Sequence, residues 1–156
     1  MAELRGEEAV KETDTLINLR ASAFIPEDYI SDMGLRLAAY KEISSAGSDD
    51  EIAAIAGDLR DRYGELPEPA SNLLEIMKIK IIARRANVAR IDSGKDVVNI
   101  VFAEGAAVSP DKVMALLKKN KGKIRLVPEY ILQVVLPDHS LHTASAAVKK
   151  CLQELL

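Results

Sequence analysis

Few side chains in this sequence are spaced as metal-binding groups are. His139 and His142 lie three residues apart, beside Asp138, near the start of a predicted helix. A metal pair there would need help from the carboxylate, and such a spacing recurs by chance, so we interpret both histidines as solvated side chains. One cysteine and two histidines are also too few for a closed structural zinc site.

Nucleophilic and phosphate-binding patterns are also missing. Cys151 lies beside Leu152 on the last predicted helix, and no sequence pattern supplies a base to activate it, which indicates a packed thiol. The eight glycines never form the G-x-x-x-x-G-K-[ST] pattern that cradles nucleotide phosphates. We therefore predict that this chain is not an enzyme and has no catalytic, cofactor-binding or metal-binding residues of its own.

Two charged surfaces remain as candidates for binding. The first is a lysine cluster where a predicted helix ends at Gly122: Lys118, Lys119, Lys121 and Lys123. Cations are favoured at the negative end of a helix, and a phosphate-contacting loop is the functional alternative.

The second charged surface is the outer face of a predicted helix. Asp58, Asp61 and Arg62 stand at positions i, i+3 and i+4, so their side chains project together. From the residues alone, this is either a solvated face with an Asp58–Arg62 pair or a docking patch for a basic partner surface.

Composition favours a protein-binding or structural module. The 156 residues carry a net charge of −3, with a pI near 5.5, and an acidic domain is a poor default for nucleic-acid binding. Aromatic residues make up 4% of the chain, which leaves little for base stacking. No run of 18 apolar residues is present, so no membrane partner is expected. The single cysteine suggests a reducing, cytoplasmic location.

Alternation and helix signals organise the first half of the chain. Residues 1–15 are polar and are predicted to be a tail or linker, ahead of a single domain over residues 16–156. Residues 17–25 alternate as a half-buried strand does. Asp32 is predicted to cap a helix reaching about Ala46, with this apolar stripe: Met33, Leu37, Tyr40 and Ile43.

Two more helices are predicted after Gly47. Ser48 and Glu51 form a capping box for the second, and Gly64 stands where a left-handed cap would end it. Pro67 and Pro69 open the third, whose apolar residues surround most of its circumference. Such a helix is buried on most sides, so we predict that it is the central one.

The second half is predicted to be strand–strand–helix, twice. Residues 88–92 and 97–103 form a hairpin, and a helix begins at Ser109 and Pro110. Residues 124–127 and 130–136 form another strand pair, before a last helix capped by Asp138 or Ser140. We predict an α+β fold: an N-terminal strand and three helices, then two such units forming a small, mostly antiparallel sheet covered by helices.

Several of these residues occur in an order that resembles one family. The segment Ile25-Pro-Glu-Asp-Tyr-Ile, then Arg36-Leu-x-x-Tyr40-Lys, then Asp61-Arg-Tyr-Gly-x-Leu-Pro-x-Pro69, is similar to the C-terminal domain of bacterial transcription-repair coupling factors. The resemblance covers about Ile17 to Asp92 and fades afterwards. It implies a domain cut from an ATP-driven DNA translocase that displaces stalled RNA polymerase and recruits excision repair.

The resemblance also implies a function for this domain. In the family that this sequence resembles, such a domain acts as a latch. It packs against an N-terminal module resembling UvrB, and in this position it masks the surface that recruits UvrA. That docking role would fall on Asp58, Asp61 and Arg62. ATP and Mg would belong to the motor of the parent protein, and RNA polymerase and UvrA would be partners through that protein. The alternatives are a free-standing protein-interaction adaptor and a weak nucleic-acid-binding module using the lysine cluster.

Overall fold

A computed structural model describes residues 15–106, 108–128 and 131–156, which form five strands and five helices. In chain order these are β1 (Leu16–Asn18), α1 (Met33–Ser44), α2 (Asp49–Tyr63), α3 (Glu68–Arg85), β2 (Val88–Ser93), β3 (Val97–Phe102), α4 (Pro110–Lys119), β4 (Ile124–Val127), β5 (Ile131–Val135) and α5 (Leu141–Leu155). The predicted tail falls almost entirely on residues 1–14, which lie outside the described residues.

The strands form one sheet in the order β1-β2-β3-β5-β4. Only β1 and β2 are parallel, and the other three pairs are antiparallel. Along β3, alternate residues are buried: Val98, Ile100 and Phe102. They belong to a core that also contains residues of α3, α4 and α5, so these helices cover the sheet, and the predicted α+β fold is confirmed.

A second hydrophobic cluster lies among α1, α2 and the segment before α1. It contains Ile25, Ile30 and Ile43 together with the buried stripe of α2, which is Ile52, Ile55 and Leu59. The helix α3 contributes to both clusters, with Ile79 in the sheet core and Leu74 in the helical one. The prediction that α3 is the central helix is therefore confirmed.

Side-chain caps begin four of the five described helices. The oxygen of each capping residue accepts a hydrogen bond from the backbone N–H three residues later, which satisfies a donor that the helix leaves unpaired. These residues are Asp32, Ser48, Ser109 and Ser140. For α5, whose cap was predicted as Asp138 or Ser140, the structure selects Ser140.

Gly64 ends α2 with a φ of +90° and a ψ of −169°. The positive φ confirms the predicted use of glycine. The ψ places it outside the left-handed helical region, in a part of conformational space that glycine alone occupies readily. The Gly64 N–H donates to the carbonyl of Arg60 at 3.0 Å and so completes the last turn.

Two expectations for the first half were wrong in detail. The strand covers only Leu16–Asn18 and does not extend to Ile25. On α1, Met33 and Leu37 are 65% and 60% exposed, while Ala39 and Ile43 are buried. The inward face of α1 therefore carries small Ala39, which allows close packing, and the predicted stripe lies partly on the outside.

Candidate functional site

The three predicted docking residues lie on the outer face of the last two turns of α2. Asp58, Asp61 and Arg62 are all exposed, opposite the buried residues Ile55 and Leu59. The Arg62 Nε lies 3.6 Å from the Asp58 Oδ2, and these side chains are 58% and 52% exposed. We call these three residues the α2 patch.

The backbone beneath the α2 patch is held by a tyrosine from the segment before α1. The hydroxyl of Tyr29 lies 2.8 Å from the Gly64 carbonyl oxygen and 3.1 Å from that of Leu59. Its ring packs against that of Tyr63, with the centroids 5.7 Å apart. Burial raises the pKa of Tyr29, with Glu65 and Tyr63 adding to the effect and Arg60 opposing it, so the hydroxyl remains a donor at neutral pH.

Other residues of the recognised sequence pattern are also structural. The backbone N–H of Ile25 donates to the Tyr40 hydroxyl at 2.7 Å. The guanidinium of Arg36 donates to the carbonyl of Ile30 at 2.8 Å. These bonds fasten the Ile25–Ile30 segment onto α1, while Tyr29 fastens it to α2. These hydrogen bonds connect the segment to both helices and support the end of α2 that carries the α2 patch.

The electrostatic character of α2 suits a basic partner. Its first turn contains Asp49, Asp50 and Glu51, and its outer face adds Asp58 and Asp61. The cations of the last turn are Arg60 and Arg62. Carboxylates accept charge-assisted hydrogen bonds from arginine or lysine, and Arg62 could donate a bidentate pair to a partner carboxylate. The α2 patch therefore presents two carboxylates and one guanidinium group to solvent.

The other residues singled out in the sequence do not form a reactive site. His139 Nε2 lies 3.2 Å from Asp96 Oδ1, with both side chains exposed. The Ser140 backbone N–H holds the pKa of Asp138 below its usual value. Burial raises the pKa of the Cys151 thiol to about 11, so it is protonated at neutral pH. Over the part of the chain that the structure describes, no group of histidine, cysteine and carboxylate side chains could hold a metal ion.

The lysine cluster lies at the carboxyl end of α4 and in the turn before β4. All four of its lysines are exposed, and Lys119 pairs with Glu154 of α5 at 3.3 Å. Lys118 and Lys119 lie in the last turn of α4, where the negative end of the helix favours cations. Among the described helices, none is long and apolar enough to cross a membrane.

One polar network escaped the sequence analysis. Ser145 on α5 is fully buried, and its hydroxyl donates to the carboxylate of Glu75 on α3. The same carboxylate accepts a hydrogen bond from Lys149 at 3.0 Å. Burial alone would raise the pKa of Glu75. The hydrogen bonds from Ser145 and Lys149, with the charges of Lys149 and Lys78, outweigh burial and lower it. Glu75 and Ser145 are 70 positions apart, so no local spacing could have revealed the network.

Sequence comparison relates this chain to one family. A family model described as the TRCF domain matches residues 19–113. The chain is 39% identical to the transcription-repair-coupling factor of Haemophilus influenzae over 104 residues, which is 67% of the chain and 9% of that protein. It is 34% identical to that of Rickettsia typhi over 130 residues, 82% of the chain and 12% of that protein. The chain thus spans about a tenth of the length of these relatives.

A comparison with solved structures finds a domain with the same fold as this chain. The structure matches a solved structure described as the C-terminal domain of transcription-repair coupling factor, with a TM-score of 0.81. The match covers 92% of each chain at 20% sequence identity. At that identity the match supports the fold alone.

Proposed function

The chain belongs to the TRCF domain family, and we propose that it acts as a regulatory domain of a transcription-repair coupling factor. In this proposal the domain docks on a UvrB-like N-terminal module of the same protein. It thereby masks the surface that recruits UvrA and keeps the protein autoinhibited. The domain performs no catalysis of its own.

The observation that carries this proposal is the exposed α2 patch on a helix end that hydrogen bonds support. Asp58, Asp61 and Arg62 are presented by a helix end that Tyr29 and Gly64 hold in place. None of the three contributes to the buried stripe, so their charges are not needed to fold α2. Charged groups that the fold does not require are available for a partner.

The energy needed for such a latch is modest. Coupling between two binding sites is typically about 1–3 kcal/mol, which corresponds to roughly 5–150-fold in affinity. An exposed ion pair contributes less than about 1 kcal/mol, whereas hydrogen bonds to charged groups at a partly buried interface contribute more. The α2 patch could therefore supply the coupling if the partner surface excludes water from part of it.

The remaining functions of the proposal belong to the parent protein. An upstream motor would bind ATP and Mg, move along DNA and displace stalled RNA polymerase. This chain spans about a tenth of its relatives. RNA polymerase, UvrA and DNA would be reached through the parent protein rather than by this domain directly.

A titration of UvrA against the parent protein tests the proposal. Four forms are compared: intact protein, the triple variant Asp58→Ala, Asp61→Ala and Arg62→Ala, protein lacking this domain, and a control. The control, Lys41→Ala with Glu42→Ala and Asp111→Ala, removes the same charges from exposed positions on α1 and α4.

We expect the triple variant and the truncated protein to bind UvrA at least about fivefold more tightly than the intact protein, while the control does not. Equal binding by all four forms, with the triple-variant domain still folded by circular dichroism, would show that the α2 patch is only a solvated helix surface.

A further inference from the structure

As the described residues form the sheet, the strand β4 lies at its edge, and part of the β4 backbone faces outward. Within the described residues, β5 is its only strand partner. The Val135 N–H donates to the Lys123 carbonyl at 2.7 Å, which makes these residues a hydrogen-bonded antiparallel pair. Because such pairs alternate along a ladder, Arg125 also faces β5, whereas the N–H and C=O of Leu126 point away from the sheet.

The side chain of Leu126 borders an open apolar groove. Leu126 lies opposite Leu132, on the helix-covered face, yet it is 49% exposed. The groove has a volume of about 770 Å³. Its apolar walls include Phe102, Leu132, Val108, Val113 and Met114, the last of which is 54% exposed. An apolar cavity is thus continuous with an unpaired strand edge.

Cations surround the same edge. Lys121 and Lys123 lie in the turn that leads into β4, and both are exposed. Arg125 lies within β4 on the opposite face from Leu126, where it donates to Gln133 at 2.6 Å. A segment entering along β4 would meet positive charge at one end and on one face, and apolar surface on the other face.

We propose that β4 and its groove bind an extended acidic segment of a partner protein, which adds to the sheet as a sixth strand. The backbone of the segment pairs with Leu126, and side chains that face the groove are apolar. Their neighbours point to the other face, where glutamate or aspartate meets Arg125, and acidic residues at one end meet Lys121 and Lys123. This interaction is independent of the α2 patch.

Protection of the edge is the competing interpretation, because lysines and a proline near an edge strand discourage aggregation. Pro128 follows β4, and β4 is only four residues long. Protection accounts for the charges. It does not account for a half-exposed leucine beside an apolar cavity, which protection alone would replace with polar residues. The combination of groove, unpaired backbone and cations favours a bound strand.

A phage-displayed library of random twelve-residue peptides, selected on the 156-residue chain, tests the proposal. We expect enrichment of sequences that alternate apolar and acidic residues. The enriched peptide is then synthesised and titrated into isotope-labelled protein, with chemical-shift changes expected along β4 and in the groove. No enrichment, enrichment of basic peptides, or shifts confined to other surfaces would overturn the proposal.

Further comparisons separate strand addition from simple charge attraction. Methylation of the peptide nitrogens that face β4 removes the donor to the Leu126 carbonyl and places methyl groups against the strand edge, so this peptide should bind at least about tenfold more weakly. Lys121→Glu with Lys123→Glu, and separately Leu126→Asp, should have a similar effect. The matched charge reversal, Lys41→Glu with Lys95→Glu, should change the affinity less than about twofold. Equal binding of the methylated and unmethylated peptides would contradict the proposal.

Nucleic acid is the other anion that the lysine cluster could attract. A duplex oligonucleotide is therefore titrated at about 150 mM salt, where exposed charges are partly screened. The proposal predicts that the acidic peptide binds more tightly than the duplex at this salt. If the duplex binds as tightly and with shifts at the same lysines, the surface is a phosphate-contacting one and the strand-addition proposal fails.

Discussion

The hydroxyl of Ser145 on α5 donates to the carboxylate of Glu75 on α3, and it does so from a fully buried position. Since α3 is shared by the two hydrophobic clusters, this bond ties α5 to the element on which both depend. Lys149, one turn along α5, donates to the same oxygen at 3.0 Å. The sheet-covering layer is therefore joined by a polar contact as well as by apolar packing.

Removing this carboxylate should destabilise the protein in a pH-dependent way. Glu75→Ala leaves Ser145 without its acceptor and should cost about 1–3 kcal/mol in urea unfolding at pH 7, whereas Glu75→Gln should cost less. The folded pKa of Glu75 is below its usual value, so on acidification the unfolded chain binds the proton first. The contribution is present above about pH 4.3 and is lost as the pH falls through the folded pKa. A Glu75→Gln cost that stayed constant from pH 7 to pH 3 would contradict this.

Two glycines of α2 should respond oppositely to alanine. An added Cβ would meet nothing within 4 Å at either Gly57 or Gly64, so steric contact does not distinguish them. Gly64→Ala should destabilise by more than about 1 kcal/mol, because its φ of +90° is strained for any residue with a Cβ. Gly57→Ala, in the helix interior, should stabilise by about 0.5–1 kcal/mol. Urea melts measure both, and changes of the same sign would refute this assignment.

Truncations on α3 and α1 should separate buried from exposed apolar residues. Leu74→Ala and Met77→Ala remove side chains buried in the helical cluster and should each cost about 2–5 kcal/mol. Met33→Ala and Leu37→Ala, on the exposed side of α1, should each cost less than about 0.5 kcal/mol. Chemical denaturation gives all four values. Comparable losses at the two sites would mean that α1 packs through its other face.

The thiol of Cys151 should be inert in the folded protein. It is buried, and burial raises its pKa to about 11, so almost no thiolate exists at pH 8. An aromatic disulfide reagent should therefore react far more slowly with native protein than with protein in denaturant, where the pKa returns to about 8.5. Equal rates under the two conditions would show that α5 opens readily.

Local signals predicted much of this fold. Caps such as Asp32 and Ser48 act within three residues, so the sequence alone locates the helix starts. The i, i+4 relation of Asp58 and Arg62 is equally local, which is why the α2 patch could be predicted. In contrast, the choice of Ala39 over Leu37 for the inner face of α1 depends on how closely other elements approach it.

Non-local relations were not predictable. The order β3-β5-β4 places Leu126 at a sheet edge although β4 precedes β5 in the chain, and the groove beside it depends on that order. The Glu75–Ser145 bond likewise needs α3 and α5 to be adjacent. The spacing of residues along one sequence does not show which distant strands or helices become neighbours.

The most direct measurement of the central claim is the association of this domain with the separate UvrB-like N-terminal module that the proposed function assigns to a parent protein. Isothermal titration would compare the unmodified domain, the triple variant Asp58→Ala, Asp61→Ala and Arg62→Ala, and the Lys41→Ala, Glu42→Ala and Asp111→Ala control. We predict that the unmodified domain and the control bind, and that the triple variant binds at least about fivefold more weakly while unfolding at the same urea concentration within error. Equal binding by all three domains, or no binding by the unmodified domain, would contradict the account.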